Sequence, residues 1–153
     1  MAVLDHWHPV LLSTGLRDKP VGVTLAGEPV AVFRTAGGGL GALADACPHR
    51  KLKLSAGRVV GDRLRCQYHG WTYDAGGNGE SPGTPKLHAC AASYDVREEH
   101  GLIWVKARGA DAATRTRGHR TWSVRSPAGS PGSGWRCRPA SRWPRTRRSW
   151  SAR

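Results

Sequence analysis

The sequence has no apolar run approaching 18 residues, whereas a bilayer-spanning helix needs about 20. No basic segment leads into an apolar core near the start, where Asp5, His6 and His8 fall instead, so no secretory signal is expected. Cysteine is scarce, with four in 153 residues. Cys90 and Cys137 do not suggest a disulfide framework, which fits a reducing cytoplasm. Acidic residues are missing from one whole region. Residues 112–153 hold 11 Arg, no Lys and no Asp or Glu, where average usage would give about five acids. Residues 1–111 carry 13 Lys+Arg and 11 Asp+Glu, a net +2. The formal net charge of +13 is therefore a property of the tail. A nucleic-acid partner argued from total charge would rest on that tail alone, and none is expected for the rest. The length allows one domain with a real core.

What is present is concentrated between Cys47 and Trp71. Cys47-Pro48-His49-Arg50 opens the stretch and Cys66-Gln67-Tyr68-His69-Gly70-Trp71 closes it. A Cys-x-His pair, 16 intervening residues and a Cys-x-x-His pair make a four-ligand metal set. Two metals compete for it. Zinc takes two Cys and two His tetrahedrally, usually as a Cys pair followed by a His pair. Here each half carries one of each, which suits a two-iron cluster with thiolates on one iron and imidazoles on the other.

The flanking sequence reads as short strands. Val21, Val23 and Leu25 alternate with small or polar residues, and Val30 to Phe33 follows the Gly27-Glu28-Pro29 turn, so a hairpin is expected. Leu40 to Ala44 runs into Cys47. Val59-Val60 and Leu64, around Gly61-Asp62, form a second hairpin leading to Cys66. Trp71 to Asp74 is a further strand, ended by Ala75 to Gly79. A Pro-containing loop from Ser81 to Ala92 crosses to Tyr94-Asp95-Val96, and Leu102 to Val105 is the last strand. Gly and Pro break the segments too often for helices. An all-β sandwich or barrel is expected.

The ligand quartet resembles the Rieske two-iron, two-sulfur family. Residues 6–106 look like the N-terminal Rieske domain of ring-hydroxylating oxygenase large subunits. Leu54-Ser55-x-Gly57, Tyr68-His69-Gly70-Trp71-x-Tyr73-Asp74 and Gly101-Leu102-Ile103-Trp104-Val105 carry this narrower likeness, beside the first ligand pair. The resemblance implies small antiparallel sheets with two hairpin loops gripping a 2Fe-2S cluster. Cys47 and Cys66 would hold one iron, and His49 and His69 the other. It implies a reductase or ferredoxin as electron donor and an oxygenase catalytic domain as acceptor. The loops lack the extra Cys of the respiratory-complex branch. Oxygenase large subunits continue into a domain with a mononuclear iron held by two His and a carboxylate. Residues 112–153 hold His119 and no acid, so no catalytic residue is assigned in this chain. The alternative is a free-standing Rieske ferredoxin.

The division expected is a Rieske domain over 1–111 and a basic Arg/Ser/Pro/Trp-rich tail over 112–153. The tail reads as a segment out of its ancestral frame, as a disordered extension, or as an arm for acidic partners. Trp71 and Trp104 are expected in the core. His6, His8, His88 and His100 read as surface or loop histidines, and Cys90 as a small loop or core residue. Arg50 and Lys51 either line the loop surface or mark where a reductase docks. The Tyr68 hydroxyl either packs or bonds a cluster sulfur. Pro48 and Gly70 shape the loop backbones.

Overall fold

The computed structural model describes residues 6–84 and 87–107. The domain boundary near 111 and the tail over 112–153 lie outside the described residues. The architecture is all-β, in three antiparallel sheets. The first joins β1 (His8–Leu12), β11 (Leu102–Ala107) and β10 (Tyr94–Glu99), with β11 central. Pro9 lies on the edge strand β1, where a missing N–H breaks no interior ladder. The second sheet orders β2 (Val21–Leu25), β3 (Glu28–Arg34) and β4 (Leu40–Ala44) as a meander. The third is a five-stranded meander of β5 (Arg58–Val60), β6 (Arg63–Arg65), β7 (Thr72–Tyr73), β8 (Asn78–Glu80) and β9 (His88–Cys90).

Strand β3 explains how the sheets meet. Its run Val30-Ala31-Val32-Phe33 is buried on both faces. Successive side chains point to opposite faces. Val30 and Val32 therefore join Leu25, Tyr94, Ile103 and Val105 in one core. Ala31 and Phe33 join Leu43, Leu54, Leu64, Trp71 and Tyr73 in a second core, which also contains Cys47 and Cys66. The metal-ligand candidates are thus set on a packed floor. Burying a side chain such as Phe33 contributes about 1.5–3 kcal/mol.

Two expectations need correction. The stretch Ser81 to Ala92 is not all loop, since β9 pairs with β8 through Asn78↔Cys90, Gly79↔Ala89 and Glu80↔His88. Asn78-Gly79 resembles a turn in sequence but is strand. Gly79 stands opposite Tyr73, and a Cβ there would overlap the tyrosine ring. The glycine makes room for a buried aromatic and does not mark a chain reversal. Trp104 is also not core. Alternation along β11 buries Ile103 and Val105 and leaves Trp104 partly exposed, its indole N–H donating to the Glu99 carbonyl at 3.2 Å.

Candidate metal centre

Both ligand-bearing segments fold into the same hydrogen-bonded loop. In the first, the Cys47 N–H donates to the Leu52 carbonyl at 2.7 Å and the Lys51 N–H returns to the Cys47 carbonyl at 2.7 Å. In the second, the Cys66 N–H donates to Trp71 at 2.7 Å and the Gly70 N–H returns to Cys66 at 3.2 Å. Each loop turns through a left-handed residue four positions after its cysteine, Lys51 at φ 60 and Gly70 at φ 72. Only glycine adopts that conformation without cost.

The first loop is also clamped from outside. Buried Asp45 accepts the Ser55 backbone N–H and the Ser55 hydroxyl, both at 2.7 Å. These bonds tie the approach of β4 to the 3-10 turn Leu54–Ala56, whose Leu54 is fully buried. The second loop is flanked by β6 and β7, which pair through Leu64↔Tyr73 and Arg65↔Thr72.

The four side chains meet at the loop tips as two pairs. His49 and His69 approach Nδ1 to Nδ1 at 3.1 Å. Two nitrogens sharing one tetrahedral ion at about 2.0–2.1 Å would stand about 3.3 Å apart, so the imidazole pair fits a shared metal. Trp71 stacks against His49 at 5.5 Å between centroids, and Tyr68 lies 3.8 Å from His69. Each imidazole thus has an aromatic support from the second loop. His49 is held below the ordinary imidazole range by desolvation, then by the neighbouring His69 and Arg50. It is therefore neutral near pH 7, the form that binds metals.

The thiols lie in the core. Cys47 and Cys66 are free and buried, and the two sulfurs are close enough to interact directly. Burial pushes the Cys66 thiol up, the backbone N–H groups of Tyr68 and His69 pull it down, and Cys47 raises it again. Two interacting thiols and two facing imidazoles, one of each from either loop, suit a two-iron cluster divided between thiolates and imidazoles.

The sequence reading missed the residue that reaches the sulfur. The Tyr73 hydroxyl lies 3.2 Å from Cys47 Sγ, inside the core. Burial, then Cys47 and Cys66, push this phenol well above its ordinary value, so it stays protonated. Tyr68 is exposed and makes a ring contact with His69. Of the two readings for Tyr68, this contact agrees with packing. The alternation of β7, which turns Tyr73 inward beside Leu64, was the available signal. Cys90, which with Cys137 did not suggest a disulfide framework, is disulfide-bonded. His6 and His100 are exposed and His88 is in β9.

Among the described residues no helix is long and apolar enough to cross a membrane. The profile of the family described as Rieske [2Fe-2S] domain matches residues 6–101. The oxidoreductase NdmD of Pseudomonas putida is 37% identical over 109 residues, covering 67% of this chain and 18% of that protein. Protein TIC 55, chloroplastic, of Arabidopsis thaliana is 33% identical over 110 residues, covering 66% of this chain and 20% of that protein. The crystal structure of apo dicamba monooxygenase superposes with a TM-score of 0.66 at 34% identity, over 73% of this chain and 37% of that one. The chain thus spans about a fifth to two fifths of the length of these relatives.

Proposed function

Because the chain belongs to the Rieske [2Fe-2S] family, we propose that Cys47 and Cys66 hold one iron of its cluster and His49 and His69 the other. When bound, such a cluster supplies one-electron transfer, and neutral imidazoles in place of two thiolates make it accept an electron more readily. The chain's own residues orient the ligands and exclude water from the sulfur side. Trp71 and Tyr68 hold the imidazole planes, while Leu54, Leu64 and Tyr73 seal the thiols in the core. The observation that carries the assignment is the approach of the two Nδ1 atoms to 3.1 Å on the two loops that also bear two buried free thiols.

The reading extends to an electron-transfer domain of the aromatic-ring-hydroxylating oxygenase type, spanning about residues 1–111. It takes single electrons from a reductase or ferredoxin and passes them to an oxygenase catalytic domain. His69 is exposed and His49 partly so, and the electron leaves through an imidazole edge. A cytoplasmic location belongs to this reading through the free thiols of Cys47 and Cys66, and the disulfide at Cys90 counts against it.

Anaerobic reconstitution with iron and sulfide tests the assignment. The wild-type chain is expected to bind two irons and two sulfides and, on dithionite reduction, to give a Rieske EPR signal. Cys66→Ser and His69→Ala are each expected to lose it. A normal signal in either variant refutes the ligand set. A colourless, EPR-silent protein containing zinc refutes the cluster. Electron delivery to a separate oxygenase would instead identify a free-standing carrier.

A further inference from the structure

The charge of the domain is unevenly placed. Residues 47–71 carry six Lys+Arg and one acid, a net +5, while the remainder of 1–111 is a net −3. Arg50, Lys51 and Lys53 are exposed on the loop that presents His49, and among the described residues none has a carboxylate partner. The ion pairs form elsewhere, as in Arg34 with Glu98 at 3.0 Å. Lys51 adds an independent observation. It occupies the left-handed position that glycine fills in the second loop. The fold therefore has an unstrained solution for this turn and uses it once. At the other loop the left-handed residue is an exposed lysine, two positions after His49.

We propose that Arg50, Lys51 and Lys53 form a docking face for the acidic surface of a one-electron donor protein, with exposed Tyr68 and His69 at its edge. This rests on the electron-transfer reading above. The partner surface is acidic because a basic face of this density attracts and orients the opposite charge. In the docked pair one electron leaves the reduced donor and is accepted by this chain. No bond is made or broken, and the donor ends oxidised by one electron.

The test uses the full reconstituted chain and reduced plant-type [2Fe-2S] ferredoxin, an acidic donor, with stopped-flow detection. Lys51→Gly removes the charge and relieves the backbone, so it cannot fail by misfolding through strain. It is expected to slow reduction about threefold at low salt while melting no lower than wild type. Arg50→Glu/Lys51→Glu/Lys53→Glu is expected to slow it tenfold or more, on the order of a steered association rate. The same net charge change in the tail, Arg115→Glu/Arg117→Glu/Arg120→Glu, is expected to act far less. Photoreduced deazaflavin, a small neutral reductant, is expected to reduce all four proteins alike. The wild-type difference should fade as salt rises toward about 0.3 M, where screening shortens.

An unchanged rate in Lys51→Gly overturns the proposal, as does a tail variant as slow as the loop variant. Equal slowing with deazaflavin also overturns it, because the defect would then lie in the cluster. Failure of the wild type to assemble a cluster refutes the electron-transfer reading separately. Calorimetric binding of oxidised ferredoxin to the same preparation needs no cluster and still decides the docking claim. Salt-sensitive binding weakened by the loop variant supports it, and binding unaffected by that variant sinks it.

Discussion

The loops at 47–52 and 66–71 share one backbone frame and differ in nearly everything placed on it. Each cysteine N–H is accepted by a carbonyl five residues on, and each cysteine carbonyl accepts an N–H four residues on. Histidine stands two residues after the first cysteine and three after the second. Pro48 fixes φ in the shorter spacing. The left-handed corner is Lys51 in one loop and Gly70 in the other. The Asp45–Ser55 clamp and the Tyr73 hydroxyl act on the first loop. The second brings backbone N–H groups to its own sulfur. The frame is thus a requirement of loop closure, whereas the residues at its corners answer to the site and to solvent.

The largest effect should separate the two corners. Gly70→Ala places a Cβ at φ 72 with the Arg65 guanidinium 3.1 Å and Pro82 3.4 Å away. A left-handed non-glycine residue costs roughly 1–2 kcal/mol, and the contacts add to that. In a domain of this size each kcal/mol lowers Tm by roughly 4–8 °C. Lys51→Ala exchanges one non-glycine left-handed residue for another and is expected to shift Tm little. Thermal unfolding of the two variants measures this. Equal losses would show that the corners are not distinguished by backbone strain.

The same comparison marks what the sequence could reveal. The family was legible because metal chemistry fixes Cys and His at short spacing, as in Cys47-Pro48-His49 and Cys66-Gln67-Tyr68-His69. The strands β2, β3, β4, β10 and β11 were legible because apolar residues alternate or run together between Gly and Pro breaks. Strands β8 and β9 were not legible. Their small residues, Gly79 and Ala89, serve the volume of Tyr73 and carry no hydrophobic pattern of their own. The clamp of Asp45 on Ser55 was equally hidden, since ten residues separate two common polar side chains. Tyr73 was quoted as part of a motif, yet its contact with Cys47 spans 26 residues. Such contacts follow from sheet register, which a single sequence states only weakly.

A smaller effect should fall on one loop alone. Ser55→Ala removes the hydroxyl that donates to the buried Asp45 carboxylate at 2.7 Å and leaves the backbone bond in place. A hydrogen bond to a charged group contributes about 1.5–3 kcal/mol, and here the retained bond keeps the loss near about 1.5 kcal/mol. Amide exchange at Cys47 and Lys51 is expected to quicken, while exchange at Cys66 and Gly70 holds. Equal quickening in both loops would mean that they open as one unit and that the clamp is not specific to the first.

The smallest change in stability should come with a change in redox behaviour. Tyr73→Phe deletes the hydroxyl 3.2 Å from Cys47 Sγ and keeps the buried ring beneath Trp71. A ligating cysteine is a thiolate and cannot donate, so the phenol, held protonated by its burial, must be the donor. A bond to sulfur favours the more negative, reduced state, and its loss lowers the reduction potential. For a net bond of about 1 kcal/mol, a one-electron couple shifts by about 40 mV, since 59 mV corresponds to a tenfold change. Tm is expected to move by a few degrees at most, because the ring and its packing remain. The Cys66 sulfur offers no equivalent experiment, since its donors are the N–H groups of Tyr68 and His69, which no ordinary side-chain exchange removes. Protein-film voltammetry of Tyr73→Phe therefore measures the side-chain share of the tuning. An unshifted potential would assign all of it to the loop backbones, and the two thiols would then be equivalent despite their different neighbours.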